Sequence, residues 1–229
     1  MRSIALITGA SRGLGAALAE QLSMDGWTVV LDGRDADALR TASEKLEGPT
    51  VLVPGDVGDA EHRRALAREV DILGGLDLLV NNAGTLGPAP LPALADLDLD
   101  DLARTLAINA VAPVAVFQAV RHALVGRMGS VVNVTSDASV EAYEGWGAYG
   151  ASKSALDRLS AVLAVENPDL HVWAVDPGDM RTSMHQAAFP GEDISDRPLP
   201  NIAAGAIARL VADRPPSGRI RVSDLLDRI

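Results

Sequence analysis

A tyrosine and a lysine stand four residues apart in "WGAYGASKSAL", residues 146–156: Tyr149 and Lys153. On a helix that spacing puts both side chains on one face, about one turn apart. An ammonium beside a phenol favours the phenolate and lowers a pKa that starts near 10. The pair also suits an ordinary surface contact, so its meaning depends on what the rest of the chain brings to it. Gly9, Gly13 and Gly15 supply a second element, a G-x-x-x-G-x-G pattern in "ITGASRGLGAAL". Without Cβ atoms the backbone bends tightly there, and a pyrophosphate can sit at the start of the following helix. A tight structural turn is the alternative, and the position after the first apolar run favours a nucleotide.

These residues need elements to place them. Residues 3–8 read as a buried strand and 13–26 as a helix ending at Gly26. A second strand covers 27–31, followed by a helix from Asp35 to about Lys45. A third strand at 50–57 precedes a helix at 59–73 that Asp59 opens as a cap. A fourth, 76–84, runs into a glycine turn, and a long helix covers roughly 98–125. A fifth strand at 129–136 leads to the helix of Tyr149 and Lys153, about 147–166. A sixth strand at 170–178, a helix near 201–212 and a last strand at 218–223 complete the series. Continuously apolar strands, each followed by a helix, point to a parallel sheet covered on both faces. Right-handed crossovers make this an α/β, Rossmann-type, doubly wound fold with a mostly parallel seven-stranded sheet. The length suits one domain, 1–229. The Pro- and Asp-rich run 87–101 reads as an ordered loop entering a helix, and 184–200, without periodicity, as a substrate loop.

Ligands in doubly wound sheets bind beyond the carboxyl ends of strands. "GDV" (55–57), "NNAG" (81–84), "NVTS" (133–136) and "DPG" (176–178) all sit at such ends and look like parts of one site. With these in place, the sequence resembles the short-chain dehydrogenase/reductase family over essentially its whole length. TGASRGLG (8–15), NNAG (81–84), Asn109, Ser136, Tyr149-x-x-x-Lys153 and Pro177-Gly178 occur in the family's order, with Ser136 thirteen residues before Tyr149. The run 144–186 is particularly similar to the sepiapterin reductases and benzil-type diketone reductases.

The resemblance implies a function and roles. It implies that Tyr149 is the general acid that protonates a substrate carbonyl oxygen as hydride reaches its carbon. Lys153 would favour Tyr149 ionisation and bond the nicotinamide ribose, and Ser136 would donate to the carbonyl. Asn109 is implied to hold a water that links Lys153 to solvent. Implied cofactor contacts are Gly9, Ser11, Arg12, Gly13, Leu14, Gly15, Arg34, Asp56, Val57, Asn82, Ala83, Gly84, Tyr149, Lys153, Pro177, Gly178 and Thr182. An acid at the end of the second strand binds a ribose 2′-hydroxyl and repels a 2′-phosphate. Asp32 is such an acid and argues for NAD(H). The family's discriminating acid, however, falls at Gly33, with Arg34 following and Arg12 in the glycine loop as a second phosphate partner. Two arginines against one displaced acid favour NADP(H).

The reading is thus an NADPH-dependent carbonyl reductase acting on a ketone or diketone. An NAD-dependent alcohol dehydrogenase is the alternative. A silent nucleotide-binding regulator is a third, against which the intact Ser136–Tyr149–Lys153 set speaks. Trp146, Tyr143, Met184 and Gln186 are the residues to watch for a vicinal dicarbonyl or pterin-like substrate. Trp146 either forms a stacking wall or closes the helix start. The run "SDASVEAYEGWG" departs from the family by lacking a glycine soon after the serine, and Asp137 and Glu141 bring acidity near the site. His185 is a further candidate substrate contact. His62 and His122 read as helix-surface residues, and no histidines pair to hold a metal.

Composition bounds the rest. A formal charge of −11 with no basic block argues against nucleic acid. No run of apolar residues approaches the ~18–20 that span a bilayer. The start, "MRSIALITGA", is too quickly broken by glycine for a secretory signal, and zero cysteines exclude disulfides and thiolate chemistry. The expected setting is cytoplasmic. By the resemblance the chain forms a homodimer or homotetramer through 98–125 and 147–166.

Overall fold

Four consecutive apolar residues, Ile4–Ile7, form β1 with every side chain buried. The computed structural model describes residues 2–227. Met1 and residues 228–229, the ends of the expected 1–229 domain, lie outside the described residues. The other strands are β2 (Thr28–Gly33), β3 (Thr50–Pro54), β4 (Leu78–Asn81), β5 (Ser130–Val134), β6 (His171–Asp176) and β7 (Gly218–Arg221). They form one seven-stranded sheet in the order β3-β2-β1-β4-β5-β6-β7. Every pairing is parallel, so the expected "mostly parallel" sheet is parallel throughout. Ile7 lies opposite both Leu31 and Val80, which brings three strand ends side by side where the strand order reverses.

Side-chain alternation divides the core. Ala5, Ile7, Val29, Leu31 and Val80 face α1 (Gly13–Met24) and α8 (Pro200–Asp213), which contribute Leu14, Leu18, Leu22, Ala204, Ile207 and Leu210. Ile4, Leu6, Val30, Leu79 and Val131 face α3 (Ala60–Leu73) and α5 (Ala112–Val125), with Leu66, Val70, Val116, Phe117 and Leu124. Helix starts follow their caps. Asp35 accepts from two amides of α2 (Ala36–Ser43), Asp59 from Glu61 N in α3, and Asp98 from Asp100 N in α4 (Leu99–Leu106).

Several details depart from the sequence reading. β2 runs on to Gly33, so Asp32 and Gly33 belong to the sheet and are buried. The segment 98–125 is helical throughout, but a π turn at Ala107–Val111 joins α4 to α5 and holds Asn109. This helix also corrects the membrane argument. Leu99–Val125 is long and apolar enough to span a bilayer by length and composition, with a mean hydropathy of 1.4 over its most apolar 18 residues. Counting uninterrupted apolar runs missed it because Arg104, Asn109 and Gln118 break them. Its apolar side is a core face, with Val116, Phe117, Val120 and Leu124 buried against β4 and α3. The segment read as a structureless loop carries a short helix, α7 (Ser183–Ala188), capped by Thr182 Oγ1. β7 ends at Arg221, and Val222–Leu226 turns into a short helix, α9.

Candidate active site

The glycine loop after β1 is shaped by close approach. Gly9 has φ +64°, and a Cβ on it would lie 2.8 Å from Ala83 Cα. A Cβ on Gly15 would lie 2.5 Å from Gly9 O and 2.6 Å from Asn82 Nδ2. The NNAG turn is therefore pressed against the loop and bonded to it. Asn82 Nδ2 donates to Thr8 O (2.9 Å) and Gly9 O (3.0 Å). The amides of Asn82 and Ala83 donate to Thr8 Oγ1, each at 3.0 Å. At the start of α1 no side chain caps the helix and no acid stands in the first turn. Its first N–H groups are open to an anion. This cradle fits a dinucleotide pyrophosphate.

A cleft of about 1390 Å³ runs along these strand ends. It is lined by Gly9, Ser11, Arg12, Gly13, Leu14, Arg34, Asp56, Val57, Asn82, Ala83, Gly84, Ser136, Tyr149, Lys153, Pro177, Gly178 and Thr182. Of the implied catalytic and cofactor residues, Gly15 and Asn109 stand behind its wall. Asn109 is fully buried. Its Oδ1 accepts from Thr85 N (2.8 Å), and its Nδ2 donates to Thr85 O (2.8 Å) and Ser152 Oγ (2.9 Å). The amide thus ties the π turn to the chain after NNAG and to α6 (Gly147–Glu166).

Tyr149 and Lys153 lie one turn apart on α6, both buried, with Nζ 5.6 Å from the phenol ring centroid. The pairing expected from their spacing is present, and burial acts on the phenol against the lowering expected from a neighbouring ammonium. Burial pushes the Tyr149 hydroxyl up to about 12. Burial likewise pulls the Lys153 ammonium down to about 8, while Nζ donates to Val134 O at 2.7 Å. Spacing foretold the neighbours, and desolvation decided the direction. Ser136 Oγ donates to Asp137 Oδ1 (2.9 Å) and accepts from Ala138 N (3.2 Å).

Aromatic rings form the outer part of the cleft. Trp146 meets Tyr149 edge-on with centroids 5.5 Å apart and lies 5.9 Å from Phe189. It lines the cleft and also packs against the Tyr149 cluster at the start of α6. Tyr143 donates to Asp137 Oδ2 (2.8 Å), which places Asp137 in a hydrogen-bonded network. Met184, His185 and Phe189 enter the cleft from α7 and the residue after it. The His185 ring sits 4.8 Å from Phe189, and its Nε2 is buried with no hydrogen bond. Gln186 is a correction: its side chain donates to Phe189 O and Glu192 O and faces away from the cleft. Phe189 went unnoticed in the sequence because no motif surrounds it.

The second correction concerns His62. It is buried inside α3, not on its surface, and its Nε2 lies 2.5 Å from Asp32 Oδ1. Asp32 Oδ2 accepts from Gly9 N at 3.3 Å. Burial lifts the Asp32 carboxyl above its usual range, and the His62 hydrogen bond pulls it part of the way back.

Residues 3–193 match the family model of the short chain dehydrogenases. The chain belongs to the short-chain dehydrogenase family. Like its relatives, this short-chain dehydrogenase is an NAD(P)-dependent oxidoreductase with a Rossmann fold. It is 34% identical to the sepiapterin reductase of Rattus norvegicus over 202 residues, covering 81% of this chain and 77% of that protein. It is 35% identical over 199 residues to the gluconate 5-dehydrogenase of Gluconobacter oxydans, covering 84% and 77%. A short-chain dehydrogenase of Shigella flexneri complexed with NADP has a TM-score of 0.88 to it at 28% identity, covering 96% of this chain and 97% of that chain.

Proposed function

We propose that this short-chain dehydrogenase is an NADPH-dependent reductase of ketones or diketones, with Tyr149 as proton donor. The observation that carries the reading is the Tyr149 phenol. It is buried on the cleft wall one turn from Lys153 on α6, and a phenol keeps its proton at neutral pH. A reductase needs a group that holds a proton until negative charge develops on the carbonyl oxygen. When bound, the reduced nicotinamide supplies the hydride. Ser136 turns its hydroxyl from Asp137 to the substrate oxygen. Lys153 steadies the phenolate that remains after proton donation. The rings of Trp146, Tyr143 and Phe189 suit a flat dicarbonyl or pterin-like ketone. The test is oxidation of NADPH and NADH against a panel of ketones and diketones. Turnover of a diketone with NADPH is the expected result. Turnover only of alcohols with NAD makes the chain an alcohol dehydrogenase, and cofactor binding without any turnover makes it a regulator.

Support for NADPH comes from the adenosine end. Arg34 follows β2 and Arg12 lies in the glycine loop, both exposed on the cleft. A Cβ on Gly33 would be 3.5 Å from Ser11 Cβ, so the residues that the two arginines follow lie close to one another. A charge-assisted hydrogen bond contributes about 1.5–3 kcal/mol, or roughly 10–100-fold in affinity. Arg34→Ala and Arg12→Ala are each expected to weaken NADPH by about that factor and NADH by less than about twofold. Titration of the reduced-nicotinamide fluorescence measures both. Equal weakening of the two cofactors counts against the preference.

The chain is further proposed to form a homodimer or homotetramer. Val111 and Val125 are exposed along Leu99–Val125, and Val162 and Val165 along α6. Light scattering is expected to exceed the 23.8 kDa monomer, and a monomer at micromolar concentration sinks the idea.

A further inference from the structure

An acid at the end of β2 is what a 2′-phosphate should not meet. Asp32 occupies that place, lines the cleft, and is followed by the two residues, Gly33 and Arg34, on which NADPH binding turns. Yet its carboxylate is only 1% exposed, and both of its oxygens have partners. Alternation along β2 explains where it points. Asp32 follows the side of Val30, toward the core that α3 covers, whereas Gly33 follows Leu31 toward the glycine loop. On α3, His62 precedes Leu66 and Val70 at intervals of four and shares their buried face. Space for the ring is made by Gly55, where a Cβ would lie 2.1 Å from His62 Nδ1.

We propose that His62 is a positioning residue for cofactor choice: it holds the Asp32 carboxylate to α3, withdrawn from the adenosine ribose. The 2′-phosphate then meets Arg34 and Arg12 and not an acid. Donation from His62 Nε2 also disperses the negative charge that Asp32 would otherwise present across the cleft wall. The bland reading is that His62 only ties α3 to β2. That reading predicts lost stability and no change in discrimination. The inference rests on the NADPH reading, but the two fail separately. The ratio of NADPH to NADH affinity in the unaltered protein tests the cofactor reading, and the change in that ratio on substitution tests His62.

The experiment titrates each cofactor by nicotinamide fluorescence and follows melting temperature in parallel. His62→Ala frees the carboxylate. The expected result is an NADPH dissociation constant raised about tenfold or more, because like charges then face each other, with NADH unchanged or tighter. Adding Asp32→Ser to His62→Ala removes the acid and is expected to restore the original ratio. An unchanged ratio in folded His62→Ala, or equal weakening of both cofactors that Asp32→Ser does not rescue, overturns the proposal. Should His62→Ala fail to fold, His62→Phe, which keeps the ring's volume without its donor, is read in its place: a raised NADPH dissociation constant that Asp32→Ser rescues supports the proposal, and an unchanged ratio overturns it.

Discussion

Tyr149→Phe is expected to lower ketone reduction by about 10²–10⁴-fold, the range for loss of a positioned general acid. The substitution removes one hydroxyl and leaves the ring, so the packing with Leu86, Ala138 and Trp146 persists. NADPH affinity should stay within about twofold, because the glycine cradle and both arginines are untouched. Ser136 keeps Asp137 and Ala138 N as partners. Steady-state turnover, set beside fluorescence titration of NADPH, separates the two effects. Near wild-type turnover in a folded variant removes Tyr149 from the chemistry.

Lys153→Met should lose activity and gain stability. An ammonium that is 4% exposed and pulled from 10.5 to about 8 is destabilising in the folded chain. At neutral pH both folded and unfolded chains carry the proton, and holding it buried costs about 3 kcal/mol. Val134 O loses its donor in the variant, which returns about 1–2 kcal/mol of that gain. A net gain of about 1–2 kcal/mol raises the melting temperature by roughly 3–6 °C in a chain of this size. The pH dependence carries a definite sign. Between about 8 and 10.5 the folded protein has released the proton while the unfolded chain still binds it, so wild-type stability rises with pH. The variant's advantage is therefore full at neutral pH and gone by about pH 10.5. Turnover, in contrast, should fall by about 10²-fold or more, since the phenolate loses its neighbouring charge. Melting curves at neutral and high pH test this, and a variant less stable than wild type at neutral pH contradicts it.

Strand and helix order was legible because buried parallel strands read as apolar runs and their ends carry Gly, Asn and Pro. The site was legible for the same reason, since its residues sit where those runs stop. Distances across the fold were not. His62 and Asp32 are thirty residues apart and meet only through the β2–α3 packing. A signal did exist, because His62, Leu66 and Val70 repeat every four residues on one face. The polarity of the Tyr149–Lys153 pair was hidden too, since spacing carries no information on how completely water is removed. α7, at six residues, is too short to establish a period, and its cap, Thr182, is also an implied cofactor contact.

α7 has no fully buried residue, yet it and Phe189 furnish one wall of the cleft. Asn109, Ser152 and Lys153, by contrast, are interlocked with the interior. Under the proposed function, the reaction would be built into the interior of the molecule, and the choice of substrate would rest on a segment with no fully buried residue. Such a division makes the enzyme modular. On that reading, exchanging residues 183–189 changes what is accepted and leaves the hydride chemistry intact.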